Sequence, residues 1–143
     1  MTEQILSPKM LGYWTDANLK EAPDESGIYC VLRAARDPES EEMAVQELLR
    51  VGEHRSARFG IQNDETRERW HAFLRPGEEL WYSVGLCGKA NRERLMAAMI
   101  NSHKPRFNGH SPFLERFPFD ETTVHLYGKK DMLQSIFTVM RQD

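Results

Sequence analysis

Side chains that handle protons and phosphate fall close together in the first half of this chain. Tyr29 sits in a short apolar run, Ser26-Gly27-Ile28-Tyr29-Cys30-Val31-Leu32, and Arg50 in a second, Leu48-Leu49-Arg50-Val51-Gly52-Glu53. His54, Arg55 and Arg58 follow directly, and Lys104, Arg106 and Asn108 lie further on. Arginine and lysine neutralise phosphate charge along a nucleic-acid backbone. A histidine, with an ordinary pKa of about 6.5, gives or takes a proton near neutrality. Each has a plainer reading as well: a strand tyrosine packs, a loop histidine is incidental, and a helix arginine is solvated.

The elements that must position these residues follow from pattern. Each apolar run is rich in β-branched, leucine or aromatic residues and is bounded by a glycine, which predicts two neighbouring antiparallel strands. The polar stretch 34–42, with Pro38, makes the connection between them. Asn63 or Asp64 caps a helix with Trp70, Phe73 and Leu74 on one face. Pro76-Gly77 turns the chain, Leu80 to Cys87 forms a third strand, and Asn91 starts a helix from Arg92 towards Ser102. That helix buries Leu95, Met96, Met99 and Ile100 and ends before Pro105. Upstream, Thr15 caps a short helix that Pro23 stops, and Tyr13 and Trp14 form a packing lid. Downstream, 122–127 predicts an extra strand. Asp131 then caps a C-terminal helix whose Leu133, Ile136, Phe137 and Met140 repeat at helical spacing. The expected fold is α+β, a small central antiparallel sheet flanked by helices in a single domain.

Gly27-Ile28-Tyr29 followed by Val51-Gly52 resembles the signature of the GIY-YIG nuclease superfamily. Ala97-Ala98-Met99-Ile100, running into His103-Lys104-Pro105-Arg106-Phe107-Asn108, resembles the late helix of that family and its Pro-x-x-Asn exit. The likeness spans residues 22–108 and leaves 109–143 as a C-terminal extension, read as added core or a dimer element. It implies Mg²⁺-dependent hydrolysis of phosphodiester bonds. Tyrosines of the two signature strands would orient and deprotonate water, an arginine on the first helix would steady the phosphate, and a glutamate on the late helix would hold the ion. On that pattern Tyr29 is the first catalytic tyrosine. Arg58, with Arg55 as second candidate, is the phosphate arginine, and His54 is a further acid or base. Arg50, Arg55, Lys104, Arg106 and Asn108 would contact substrate, Asn108 also holding its own loop.

Two positions depart from the pattern. Arg50 replaces the second signature tyrosine, and a guanidinium with a pKa above about 12 takes no proton at neutral pH. Met96 stands where relatives carry the metal-binding glutamate, and Mg²⁺ takes hard oxygen ligands rather than a thioether. Glu93 is the displaced candidate for the metal, about 4.5 Å back along the helix and turned by about 60°. It reads equally as a surface acid suited to a helix N-terminus. The favoured expectation is an endonuclease-like protein with a degenerate active site that engages nucleic acid, DNA first, with cleavage lost or weakened. An active Mg²⁺-dependent hydrolase is the alternative, and a protein-interaction module the third reading.

At 143 residues, with 40% hydrophobic and 29% charged, the chain suits one folded domain. No run reaches the about 18 apolar residues of a membrane span, and the first residues lack signal-peptide features, so a cytoplasmic protein is expected. Cys30 and Cys87 are expected to be free thiols, since two cysteines do not complete a four-ligand zinc site. The net charge is −3, yet residues 54–110 hold 10 Lys+Arg against 6 Asp+Glu. That positive excess falls on the part assigned to substrate contact.

Overall fold

The computed structural model describes residues 3–142. Strands β1 (Gln4–Leu6) and β2 (Lys9–Trp14) and a 3₁₀ turn, Asp16–Glu21, precede a long hairpin of β3 (Gly27–Arg36) and β4 (Met43–His54). Helices α1 (Ala57–Gln62) and α2 (Arg67–Phe73) lead to β5 (Glu79–Leu86) and the long α3 (Lys89–His103). The tail adds β6 (Thr122–His125), β7 (Tyr127–Gly128) and β8 (Ile136–Val139). The fold is α+β, with a central five-stranded sheet ordered β4-β3-β5-β2-β7 and a second sheet ordered β1-β6-β8.

The two signature runs do pair antiparallel, with Tyr29 opposite Gly52, Cys30 opposite Val51 and Val31 opposite Arg50. β3 also pairs antiparallel with β5, so Tyr29 lies in an interior strand while β4 forms the sheet edge. The central sheet departs from pure antiparallel pairing only at β2 and β7, which run parallel.

Alternation along β3 divides the core in two. Ile28, Cys30 and Leu32 pack with Leu95, Met99 and Ile100 of α3 and, beyond them, Phe117, Val124 and Phe137. Tyr29 and Val31 face the other way, onto Ile61 of α1, Trp70 of α2 and Leu19 of the 3₁₀ turn. Helix α3 thus lies between the central sheet and the second one, touching both. No helix among the described residues is long and apolar enough to cross a membrane. Both cysteines are free, Cys30 buried and Cys87 half-buried.

Three expectations need correction. The C-terminal segment is strand β8, antiparallel to β6, and not a helix capped by Asp131. Its burial alternates: Phe137 and Val139 point inward while Ile136 is 61% and Met140 57% exposed, so the apparent helical stripe is not a buried one. A run of Ile, Phe, Thr and Val favours a strand, and over so few residues the two periods cannot be told apart. Tyr13 and Trp14 pack against the core as expected, but from within strand β2, hydrogen-bonded between β5 and β7, and not as a lid laid over the sheet. The Tyr13 ring packs on Trp81, centroids 5.4 Å apart. Thr66, rather than Asn63 or Asp64, holds the N-cap position of α2, and Asp64 makes a tighter turn instead, accepting from the Thr66 amide at 2.8 Å.

Candidate functional site

The Tyr29 ring passes close to Gly52 of the neighbouring strand and to Gly60 of α1. A Cβ on Gly52 would come within 2.2 Å of Tyr29 Cζ, and one on Gly60 within 2.7 Å of Cε2. Distances under about 3 Å are closer than real contacts allow, so the glycine of Val51-Gly52 is required by the tyrosine opposite it.

The Tyr29 hydroxyl donates to Asp64 Oδ2 at 2.6 Å. Arg50 Nε donates to the same oxygen at 3.0 Å, and Arg50 Nη1 reaches the Phe107 carbonyl at 2.9 Å. The other oxygen, Oδ1, accepts from the Thr66 amide at 2.8 Å and the Thr66 hydroxyl at 2.7 Å, and that hydroxyl accepts from buried Trp70 Nε1. The Asp64 side chain is 1% exposed and that of Arg50 19%. A carboxylate offers about four lone-pair sites, and all four of these are filled. Burial, and then the charge and hydrogen bond of Asp64, raise the pKa of Tyr29 well above the ordinary tyrosine value, so the phenol keeps its proton.

Tyr29 and Arg50 of this network line a cleft of about 250 Å³, bordered also by Glu53, Met96, Asn108 and His110, with Asp64 behind them. Met96 and Tyr29 therefore share one cleft, although Met96 comes from the late helix. Glu53 is held by Arg92, which also donates to Ser26. His110 and Glu65 are exposed at the opening.

Of the residues singled out in the sequence, the fold brings Tyr29, Arg50 and Asn108 together. Asn108 acts on the backbone: its Oδ1 accepts from the Val51 amide and its Nδ2 donates to the Val51 carbonyl, both at 2.9 Å, which closes the exposed edge of β4. Arg58 does not reach the cleft. It pairs with Asp24 at 3.2 Å and donates to the Lys20 carbonyl, tying α1 to the segment before β3. His54 accepts from the Ser56 amide through Nδ1 and packs on Phe59, and it does not line the cleft. Arg55 is exposed at the end of β4. Lys104 donates to the Leu114 carbonyl, and Arg106 pairs with Glu47 at 2.9 Å. Arg58, expected as the phosphate arginine, and Lys104 and Arg106, expected as substrate contacts, therefore turn to separate partners away from the cleft. Glu93 is exposed on α3 and does not line the cleft.

Asp64 is the residue the sequence did not reveal. Its type and place before a helix announced a cap, and nothing local indicated that Tyr29 and Arg50 would converge on it. Beside Tyr29 the donors do not suit Mg²⁺: Asp64 has no acceptor site left, Met96 offers sulfur, and Glu53 Oε1 is engaged by Arg92, while Glu65 and His110 stand exposed at the opening. Among the described residues no group of three or more His, Cys, Asp or Glu is arranged to hold a metal. Compared with protein-family models, curated proteins and solved structures, the chain matches none. The GIY-YIG resemblance stands on its motif residues alone.

Proposed function

We propose that the chain is a GIY-YIG-like domain that engages nucleic acid, DNA in the first instance, without hydrolysing it. The observation that carries this reading is the saturated Asp64 carboxylate, bonded to Tyr29, Arg50 and Thr66. Hydrolysis needs a base to activate water and a divalent ion to hold developing charge. Tyr29 donates its proton to Asp64, and Arg50 occupies the carboxylate site that an ion would need. The guanidinium substitutes a fixed positive charge for an exchangeable one. Binding is supported by the partly exposed Arg50, by exposed Arg55 beyond the end of β4, and by the positive excess over residues 54–110. These groups donate to phosphate oxygens and need no metal.

Supercoiled plasmid incubated with the protein and Mg²⁺ or Mn²⁺ is expected to stay uncut. A labelled duplex is expected to be retarded in a gel, with affinity falling as salt rises because bound cations release counterions. Nicking that disappears in Glu93→Ala would instead favour an enzyme with a displaced carboxylate. Failure to bind any nucleic acid at low salt would leave the protein-interaction module.

A further inference from the structure

Four residues beyond Tyr29 on β3, Arg33 borders a second cavity of about 190 Å³, closed by Glu47, Phe73, Arg75, Glu78 and Arg106. The three guanidinium groups come from three places: β3, the turn after α2, and the exit from α3. Glu78 accepts from Arg33 Nη1 at 2.8 Å and from the Arg75 amide at 3.0 Å. Glu47 accepts from Arg106 Nε at 2.9 Å, and the Arg106 guanidinium lies 4.4 Å above the Phe73 ring. The remaining pairing is loose. Arg33 Nε stands 3.6 Å from Glu47 Oε1 and is buried with no hydrogen-bond partner among the described residues. Arg75 bonds Glu78 through its backbone, and its side chain is exposed.

We propose that this cavity binds a phosphate group. Its lining sets three cations against two carboxylates, so a bound cation would add to an existing positive excess, and an apolar ligand would leave the donors unanswered. A tetrahedral oxyanion carries acceptor oxygens in every direction. It therefore answers together the exposed Arg75 side chain and the edge of the half-exposed Arg106 guanidinium that Glu47 leaves open. The volume admits a phosphate with a few waters at about 30 Å³ each, and excludes a duplex. The inference is independent of the Tyr29 cleft and of whether that cleft meets DNA. The phosphate can be free or can terminate an oligonucleotide, and the chemistry of recognition is the same.

Titration calorimetry at constant ionic strength tests it with two probes: inorganic phosphate, and a dinucleotide with or without a 5′-phosphate. Saturable binding of a phosphate-bearing probe is expected. It should weaken about tenfold in Arg75→Ala and in Arg106→Ala, the loss of one charge-assisted hydrogen bond or more. Arg116→Ala, exposed and outside the cavity, should leave it unchanged. Tighter binding of the phosphorylated dinucleotide than of inorganic phosphate assigns a strand end as the source, and the reverse order assigns the free ion. Because the Arg75 side chain is exposed, that variant keeps its fold even where Arg106→Ala does not. No saturable response from either phosphate-bearing probe overturns the proposal, as does a response undiminished in Arg75→Ala.

Discussion

Asp64 holds Tyr29, Arg50 and Thr66 to one buried carboxylate, and the consequence is a testable stability term. In Arg50→Met the carboxylate loses its only charged partner among the described residues. The expected cost is about 3 kcal/mol, at the low end for a broken buried pair because Arg50 keeps part of its side chain in water. Urea denaturation measures it, and a loss below the scatter of surface substitutions would mean the pair contributes nothing. Tyr29→Phe removes one donor and leaves an acceptor site buried and empty, at a cost of about 1 to 2 kcal/mol. Gly52→Ala forces a methyl into the Tyr29 ring and is expected to cost about 3 kcal/mol. The double variant Gly52→Ala/Tyr29→Ala should recover part of that loss, since the clash is with that ring. Cys30 presents a different case: burial pushes its thiol up to about 12, so at pH 8 almost no thiolate forms. Iodoacetamide should leave Cys30 unmodified in the folded protein and label it after denaturation, as peptide mass spectrometry would show.

At the scale of elements, β4 is an edge strand kept from further pairing by Asn108, whose side-chain amide copies a backbone unit against Val51. Asn108→Ala leaves the amide and the carbonyl of Val51 unanswered in a buried place. A loss of about 2 kcal/mol is expected, together with faster hydrogen exchange at the Val51 amide. The turn between α2 and β5 is fixed by Glu78. Donation from the Arg75 amide, then the charge of Arg33, hold its carboxyl below the ordinary value of 4.5. A depressed folded pKa means that this contribution is complete above about pH 4.5 and is lost as pH falls through the folded value. The stability gap between wild type and Glu78→Gln should therefore close on acidification below pH 4.5. A gap that stays constant would rule out this assignment. Strand β8 carries the clearest misreading, and the reason is local: Leu133, Ile136, Phe137 and Met140 satisfy a helical period, while only pairing with β6 selects the strand.

At the scale of the whole molecule, α3 is clamped between two sheets, and the tail that the family resemblance leaves out supplies two strands of the second one. Deleting residues 131–142 removes buried Phe137 and Val139 and uncovers Val124, an expected loss of about 3 to 6 kcal/mol, visible as a lower melting temperature by circular dichroism. An unchanged melt would show the tail to be an appendage. The sequence by itself determined the pairing of β3 with β4, the place of β5 and the existence and C-terminal end of α3, although that helix starts at Lys89 and not at Asn91. Each is written in short-range pattern or in the chemistry of a single side chain. Only the tertiary structure decided that Asp64 is the partner of Tyr29 and Arg50, that Arg58 and Arg106 turn to other carboxylates, and that residues 136–139 pair as a strand. These outcomes depend on groups far apart in the chain meeting in space, and neither periodicity nor residue type encodes which acid a buried guanidinium will find.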